Sequence, residues 1–291
     1  MLQKISKHTV PYLPDVESPT MRNTLNTAVR LTVLAAAVMG ATAFGTAAQA
    51  ATTVTPGQFK VGMEITYPPF ESYDEKKNVV GSDPDLSRLL AKHMDLAAEF
   101  VDTKFSSLIL SLNAGHYDAI ISGMYITPER QTQAQTIAYA KTGAAIMVLK
   151  DSTVKPKVPE DLCGLKVGLE KGTTWVAQFN KLSTDYCVPN NKGAISVSEF
   201  PSAPEVTQAL LSGNVQAQVE IDGAAGMIAE RTKGRVVVST EHSIYQQTLG
   251  IYVKKGNDEL YQALLKAFDE TKKSGEYAAL LKKYNLEEPS N

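Results

Sequence analysis

Two kinds of hydrophobic pattern alternate along the chain from Phe59 onward. In "FKVGMEI" (59–65) apolar and polar positions alternate, which predicts a strand, whereas "DPDLSRLLAKHM" (83–94) places its leucines at helical spacing. The following segments, "AEFVD", "FSSLILSLNAG" and "YDAIISGM", continue as strand, helix and strand. This βαβαβ order predicts a largely parallel sheet with helices on its faces.

The same order restarts after a stretch at 150–164 that is rich in Lys and Pro. The predicted strands and helices then alternate through "LKVGLE", "TTWVAQFNKL", "AISVSEF", "APEVTQALLSGN", "VQAQVEI", "AAGMIAERT" and "RVVVS". The C-terminal part, "LGIYVKK" and two helices, has no sheet of its own, so we expect it to return to the first unit. The chain then crosses between two lobes near 143–150 and 242–250, which predicts a hinge and a cleft.

The N-terminal segment 21–50 has the layout of a secretory signal peptide. It begins with basic residues, continues with an apolar run from Leu31 to Ala47, and ends with the small-x-small sequence Ala48-Gln49-Ala50. We predict cleavage after Ala50, with Met21 as an alternative start to Met1. A membrane anchor is disfavoured, because the apolar run is short and rich in Ala, Gly and Thr.

Composition excludes several classes of function. Removing the four basic and two acidic residues of segment 1–50 from the chain's 29 basic and 31 acidic residues leaves a net charge of −4, which gives no reason to expect nucleic acid. Cys163 and Cys187 are the only cysteines. In an exported chain such a pair predicts a disulfide, whereas in the cytosol it would more often be two free thiols. The histidines are scattered, no metal-ligand spacing is present, and no cofactor is expected.

Candidate binding residues follow several predicted strands, where open α/β sheets bind ligands. These segments are "EITYPPF", "SGMYITPER", "KGTTW" and "EIDGAAG". In "ITPER" the pattern predicts Thr127 as N-cap and Pro128 as the first helical residue, so Arg130 falls in the first turn. A cation there is unfavourable to the helix dipole by some tenths of a kcal/mol. Arg130 is therefore either a surface residue paired with an acid or a cleft residue that meets an anion.

Five ordered motifs resemble the polar amino-acid-binding proteins of bacterial ABC importers, the histidine- and glutamine-binding group. They are "YPPFE", "GSDPDL", "YDAIISGMYITPER", "DLCGLKVGLEKGTT" and "GEYAALLKKYNL", within residues 57–287. The resemblance implies a monomeric, periplasmic two-lobed binding protein of type II that closes around a small solute and presents it to an inner-membrane permease. We expect residues 51–146 and 246–291 to form one lobe and 147–245 the other.

The resemblance also implies roles at the backbone end of the ligand. Arg130 matches the arginine that holds the α-carboxylate, assisted by N–H groups near Thr173 and Thr174. Gly123, beside Ser122, matches a residue whose carbonyl faces the ligand amine. Asp222 resembles the acid that pairs with the α-ammonium, with Glu220 as the alternative. The main departure is Tyr125, which stands where relatives have Ser or Thr. We expect this phenol to displace the ligand's backbone end, to accompany a ligand that is not a standard α-amino acid, or to turn outward.

At the side-chain end, the resemblance implies that Tyr67 and Phe105 wall the ligand, and Trp175 stands where relatives use a polar residue. Core packing is the alternative interpretation for Phe105 and Trp175. Glu64 matches an aspartate that faces the ligand side chain, which favours a cationic or amide-bearing amino acid or derivative. The alternative function is a periplasmic cyclohexadienyl dehydratase on the same fold, acting on prephenate or arogenate. We expect a binding protein, since no catalytic constellation is readable.

Overall fold

The computed structural model describes residues 52–289. The signal peptide and its cleavage after Ala50 lie outside the described residues and stay predictions. None of the helices in the described part of the chain is both long and apolar enough to cross a membrane.

The strands and helices follow the predicted alternation, except that four strands were not predicted: Thr66–Tyr67, Glu71–Tyr73, Val79–Val80 and Ala134–Leu149. The strands are β1 (Gln58–Met63), β2 (Thr66–Tyr67), β3 (Glu71–Tyr73), β4 (Val79–Val80), β5 (Ala97–Asp102), β6 (Ala119–Ile120), β7 (Ala134–Leu149), β8 (Lys166–Glu170), β9 (Ser196–Phe200), β10 (Ala217–Ile221), β11 (Val236–Val238) and β12 (Ile244–Lys254). The helices are α1 (Ser82–His93), α2 (Leu108–Asn113), α3 (Pro128–Gln133), α4 (Thr174–Leu182), α5 (Ala203–Leu211), α6 (Asp222–Arg231), α7 (Asp258–Lys273) and α8 (Glu276–Tyr284). Short 3₁₀ turns lie at Phe105–Ser107 and Pro159–Leu162, and a π-helical turn at Ser183–Cys187.

One sheet runs through the molecule in the order β5-β1-β6-β12-β7-β10-β8-β9, with β11 beside β7. At one end β1 pairs in parallel with β5 and β6, and at the other β8 pairs in parallel with β9 and β10. Antiparallel β7 and β12 join the two parallel ends. A small separate sheet is formed by β2, β3 and β4. We call the half with β1, β5 and β6 lobe 1 and the half with β8, β9 and β10 lobe 2.

The two long strands β7 and β12 connect the lobes. The first half of β7 pairs with β12, and its second half pairs with β10 and β11. The pairing of β12 with β7 changes register between Ile244 and Gln247 and again between Leu249 and Gly250. Both predicted crossings, 143–150 and 242–250, overlap these strands, while the residues at which each lobe ends stay a prediction.

Apolar faces of the predicted elements pack as their periodicity indicates. Phe59, Val61 and Met63 of β1 are fully buried, and so are Leu86 and Leu90 of α1. Full burial of such a side chain contributes about 1.5–3 kcal/mol. This packing fixes the position of β1, which ends next to Glu64.

The predicted disulfide is confirmed: Cys163 and Cys187 are bonded, with Cα atoms 5.4 Å apart. The bond joins the end of the 3₁₀ turn Pro159–Leu162 to the π-helical turn Ser183–Cys187. It therefore ties the segment before β8 to the segment after α4, within lobe 2.

Candidate functional site

A cavity lies between the lobes, where residues from both line one space. Its volume is about 20 Å³, and one water molecule needs about 10–15 Å³ in the same measure. A solute the size of an amino acid therefore enters only if the lobes or the lining side chains move apart. The lining residues are Glu64, Tyr67, Glu71, Phe105, Gly123, Tyr125, Arg130, Glu170, Thr173, Thr174, Trp175 and Ile221.

Arg130 projects into this cavity from the short helix α3. The predicted cap is confirmed, because the backbone N–H of Arg130 donates to the Thr127 side chain at 3.1 Å and Pro128 begins the helix. The guanidinium donates to the Tyr125 carbonyl at 2.7 Å and, across the cleft, to the Gly172 carbonyl at 2.9 Å. It lies 5.6 Å from the Phe105 ring centroid. The arginine thus connects lobe 1 with the loop that precedes α4.

The charge of Arg130 has no carboxylate partner within residues 52–289. The residue is 8% exposed, and none of the ion pairs in this part of the chain includes it. A guanidinium has five N–H donors, so the two carbonyl bonds leave donors for a further acceptor. Burying a cation without an anion costs free energy. The Arg130 side chain is therefore suited to bind the carboxylate of a solute.

The start of α4 supplies the lobe 2 wall opposite Arg130. Thr173 is the N-cap residue, and its hydroxyl donates to the Glu170 carbonyl at 2.7 Å. The Thr174 hydroxyl and the Trp175 indole nitrogen are buried and have no hydrogen-bond partner within the described chain. Trp175 meets Tyr125 edge to face, with ring centroids 6.1 Å apart. Such unpartnered polar atoms in a cavity wall indicate groups that a solute satisfies.

Carboxyl groups also line the cavity. Glu64, just after β1, accepts from the Phe105 N–H at 3.0 Å and from the Lys104 ammonium at 3.4 Å. Glu71 accepts from the Ser122 hydroxyl at 2.7 Å. Glu170 closes β8 in lobe 2, and burial, followed by contact with Glu64, raises its pKa well above the ordinary value. Burial likewise raises the pKa of Glu71.

Tyr67 connects the lobes beside these carboxyl groups. Its hydroxyl donates to Glu220 at 2.8 Å and accepts from the Ile221 N–H at 3.1 Å. Gln218 donates to the same carboxyl at 2.7 Å, and burial raises the pKa of Glu220 to about 7. Glu220 therefore lies behind the cavity wall and contacts it through Tyr67.

Two sequence-predicted site residues lie away from the cavity lining. Asp222 begins α6, lines a separate space near the hinge, and accepts from Ser243. The Ser122 hydroxyl accepts from the Glu64 N–H and donates to the Glu71 carboxyl, so it positions these two residues. Ile221 lines the cavity between the two acids that were candidates for the ammonium role. The other predicted site residues all line the cavity, including Tyr125, whose hydroxyl donates to the Gly143 carbonyl at 3.2 Å.

Sequence reasoning missed Glu71, Glu170 and Ile221 as cavity residues. Glu71 directly follows the "YPPF" turn, and Glu170 directly precedes the "KGTTW" turn, so their positions next to singled-out motifs were the available signals. Both resembled ordinary strand-end residues. Ile221 carried no signal, because an apolar residue in a buried strand is expected.

The chain matches bacterial extracellular solute-binding proteins, family 3, over residues 59–287. It is 44% identical over 114 residues to ABC transporter arginine-binding protein 1 of Escherichia coli (strain K12), an alignment that spans 39% of this chain and 46% of that protein. An ancestral arginine-binding protein bound to arginine is 35% identical, with a TM-score of 0.72 over 78% of this chain and 98% of that one.

A further similar structure belongs to the ancestral amino acid-binding protein AncCDT-1, a precursor of cyclohexadienyl dehydratase. It is 31% identical, with a TM-score of 0.67 over 78% of this chain and 95% of that one. Both structural relatives are named as amino-acid-binding proteins, and the likeness extends over nearly the whole length of each. With a family match over residues 59–287 and a cavity between two lobes, the chain belongs to family 3 of the bacterial extracellular solute-binding proteins.

Proposed function

We propose that this protein is the periplasmic solute-binding component of an ABC importer and that it holds an amino acid with a cationic side chain between its lobes. One observation carries the proposal. The same cavity contains the buried guanidinium of Arg130, which has no carboxylate partner among the residues that the structure describes, and the carboxyl groups of Glu64, Glu71 and Glu170. A molecule with a carboxylate at one end and a cation at the other complements both sets.

The charge distribution disfavours acidic solutes. A second carboxylate beside Glu64 and Glu170 would meet repulsion and a desolvation cost together. An ammonium, guanidinium or amide can donate to these oxygens while its stem lies against the rings of Tyr67 and Phe105. The names of the arginine-binding relatives agree with the cationic choice.

The partner and compartment follow from the family. We propose that the protein works as a monomer in the periplasm after cleavage behind Ala50 and delivers its solute to an inner-membrane permease. Its lobes would close around the solute by movement about β7 and β12, as in periplasmic binding proteins that close by a hinge.

A thermal-shift panel tests the proposal. Protein unfolded and refolded to remove carried-over solute is heated with arginine, lysine, ornithine, histidine, glutamine, aspartate or glutamate. A true ligand at about a thousand times its dissociation constant adds about 4 kcal/mol of stability, which raises the melting temperature visibly. We expect shifts from the basic members. A shift from aspartate or glutamate alone would contradict the proposed ligand class.

Catalysis is the alternative function. Glu170 is a buried carboxylic acid with a raised pKa that shares the cavity with Arg130, and such an acid could protonate a leaving hydroxyl. We favour binding because the relatives are named for binding. Incubation with prephenate or arogenate, followed by detection of the dehydrated aromatic product, distinguishes the two, and product formed at many turnovers would replace the binding proposal.

A further inference from the structure

We infer that Glu170 of lobe 2 and Glu64 of lobe 1 act as a carboxyl pair that binds the cationic end of the solute from both sides, and that solute binding expels a proton held between them. The inference rests on the proposed function and deepens it. It adds a specificity-determining residue in lobe 2 and a linked proton release.

The carboxyl pair is assembled by the meeting of the lobes. Glu64 follows β1 and Glu170 ends β8; both side chains line the cavity, and Glu64 is close enough to Glu170 to raise the pKa of its carboxyl group. They are 4% and 6% exposed. One carboxyl oxygen of Glu170, Oε1, is buried and has no donor partner within the described residues. Neither lobe alone presents both carboxyl groups.

Two buried carboxylates cannot lie this close without a donor between them. Ionised carboxyl oxygens only accept hydrogen bonds, so the pair needs either a proton on one oxygen or a cationic N–H donor between the two. Burial and the neighbouring Glu64 favour the proton in this structure, and they raise the pKa of Glu170. A guanidinium or ammonium would serve as the other donor and make the proton unnecessary.

The surrounding charges favour replacement of the proton by a cation. Glu71 and Glu220 add to the negative potential at Glu170. Arg130 shares the cavity but is directed toward two backbone carbonyls, and Lys104, whose side chain is 55% exposed, bonds Glu64 from the rim. Four carboxyl groups, with Glu220 behind the cavity wall, thus lie near two cations. A solute with one carboxylate and two cationic groups brings one net positive charge, which replaces the charge of the proton that leaves.

A neutral solute of the same shape gives the opposite result. Citrulline carries a ureido group in place of the guanidinium of arginine, so it can donate hydrogen bonds but brings no charge to replace the proton. We therefore expect arginine binding to release a proton to the buffer and citrulline binding to release none.

Titration calorimetry measures the number of protons released, and it needs only the wild-type protein. Arginine is titrated into the wild-type protein at pH 7 in phosphate and in Tris, whose ionisation enthalpies differ. The difference in heat should correspond to about one proton released per arginine bound. Equal heats in both buffers, with arginine bound, would overturn the inference and leave the proposed function standing. Failure of the wild type to bind any basic amino acid would instead refute the proposed function.

Substitution tests the second carboxylate directly. Glu170→Gln keeps the shape of the side chain and can donate to Glu64, as the proton does. It should abolish proton release and lower the preference for arginine over citrulline by at least about tenfold. Glu64→Gln should also abolish proton release and lower the preference for arginine. Agreement between the two variants would show that a folding defect in one of them does not cause the result.

The matched control is Glu230→Gln, which removes one negative charge from an exposed position of α6 in lobe 2. It should leave the proton count and the preference unchanged. If Glu170→Gln kept both at wild-type values while folding normally, Glu170 would have no part in specificity. An equal loss of proton release and of preference in the control would show that the effect comes from net charge and not from the position of Glu170.

Discussion

Replacing Arg130 with methionine should remove most of the affinity for an amino acid. Methionine keeps an apolar stem against the Phe105 ring but removes the guanidinium, which donates to the carbonyls of Tyr125 and Gly172. The residue is 8% exposed, so a carboxylate bound to it is largely shielded from water. Removing one partner of a buried charge pair costs about 3–5 kcal/mol, equivalent to roughly 100- to 4,000-fold in affinity.

Titration calorimetry with arginine measures this loss, and melting temperature checks the fold. Arg130→Lys should fall between the wild type and Arg130→Met, because an ammonium keeps the charge but lacks the planar two-donor geometry. Arg88→Met is the matched control, since Arg88 also lies over a ring, Phe100, at 5.0 Å, but on the lobe 1 surface. A folded Arg130→Met protein that binds arginine within fivefold of the wild type would refute the carboxylate role.

Two further outcomes are expected. The disulfide Cys163–Cys187 closes a loop with a sequence separation of 24, and by loop entropy it stabilises the fold by about 3–4 kcal/mol. A reductant should therefore lower the urea midpoint of the wild type and leave that of a double serine variant unchanged. Burial raises the pKa of Glu220 from the ordinary 4.5 to about 7, so between these pH values the folded protein holds a proton that the unfolded chain has lost. The free energy of unfolding of the solute-free protein should therefore decrease as the pH rises from 4.5 to about 7, and Glu220→Gln should make this decrease shallower. An identical pH profile for the variant and the wild type would contradict the assigned burial cost.

Local pattern was sufficient for most of the secondary structure. The alternation in β1 and the leucine spacing in α1 show which side chains face the core and which face solvent, and this pattern is contained within each segment. The Thr127 cap and the Pro128 start are equally local, because a hydroxyl and a missing N–H act within one turn. The disulfide could be predicted because an exported chain with two cysteines offers one pairing.

The long strand β7 was not predicted as a strand. It has 16 residues, its buried positions do not alternate regularly, and β10, β11 and β12 pair with different parts of it. Its conformation is decided by these partners, which come from distant parts of the chain. The predicted strand "YDAIISGM" is shorter in the structure, where β6 pairs only at Ala119–Ile120.

The sequence by itself determined the two α/β lobes, the crossings, and the types of residue at the cleft, including Arg130 and Glu64. Only the tertiary structure decided which acids face the cavity. Asp222 leaves the strand alternation because α6 begins there, and Glu220 is directed to Tyr67, so Ile221 takes the lining position. Glu170 became recognisable as a site residue only beside Glu64. A contact between two lobes depends on how they meet, and residues 106 positions apart carry no local signal of it.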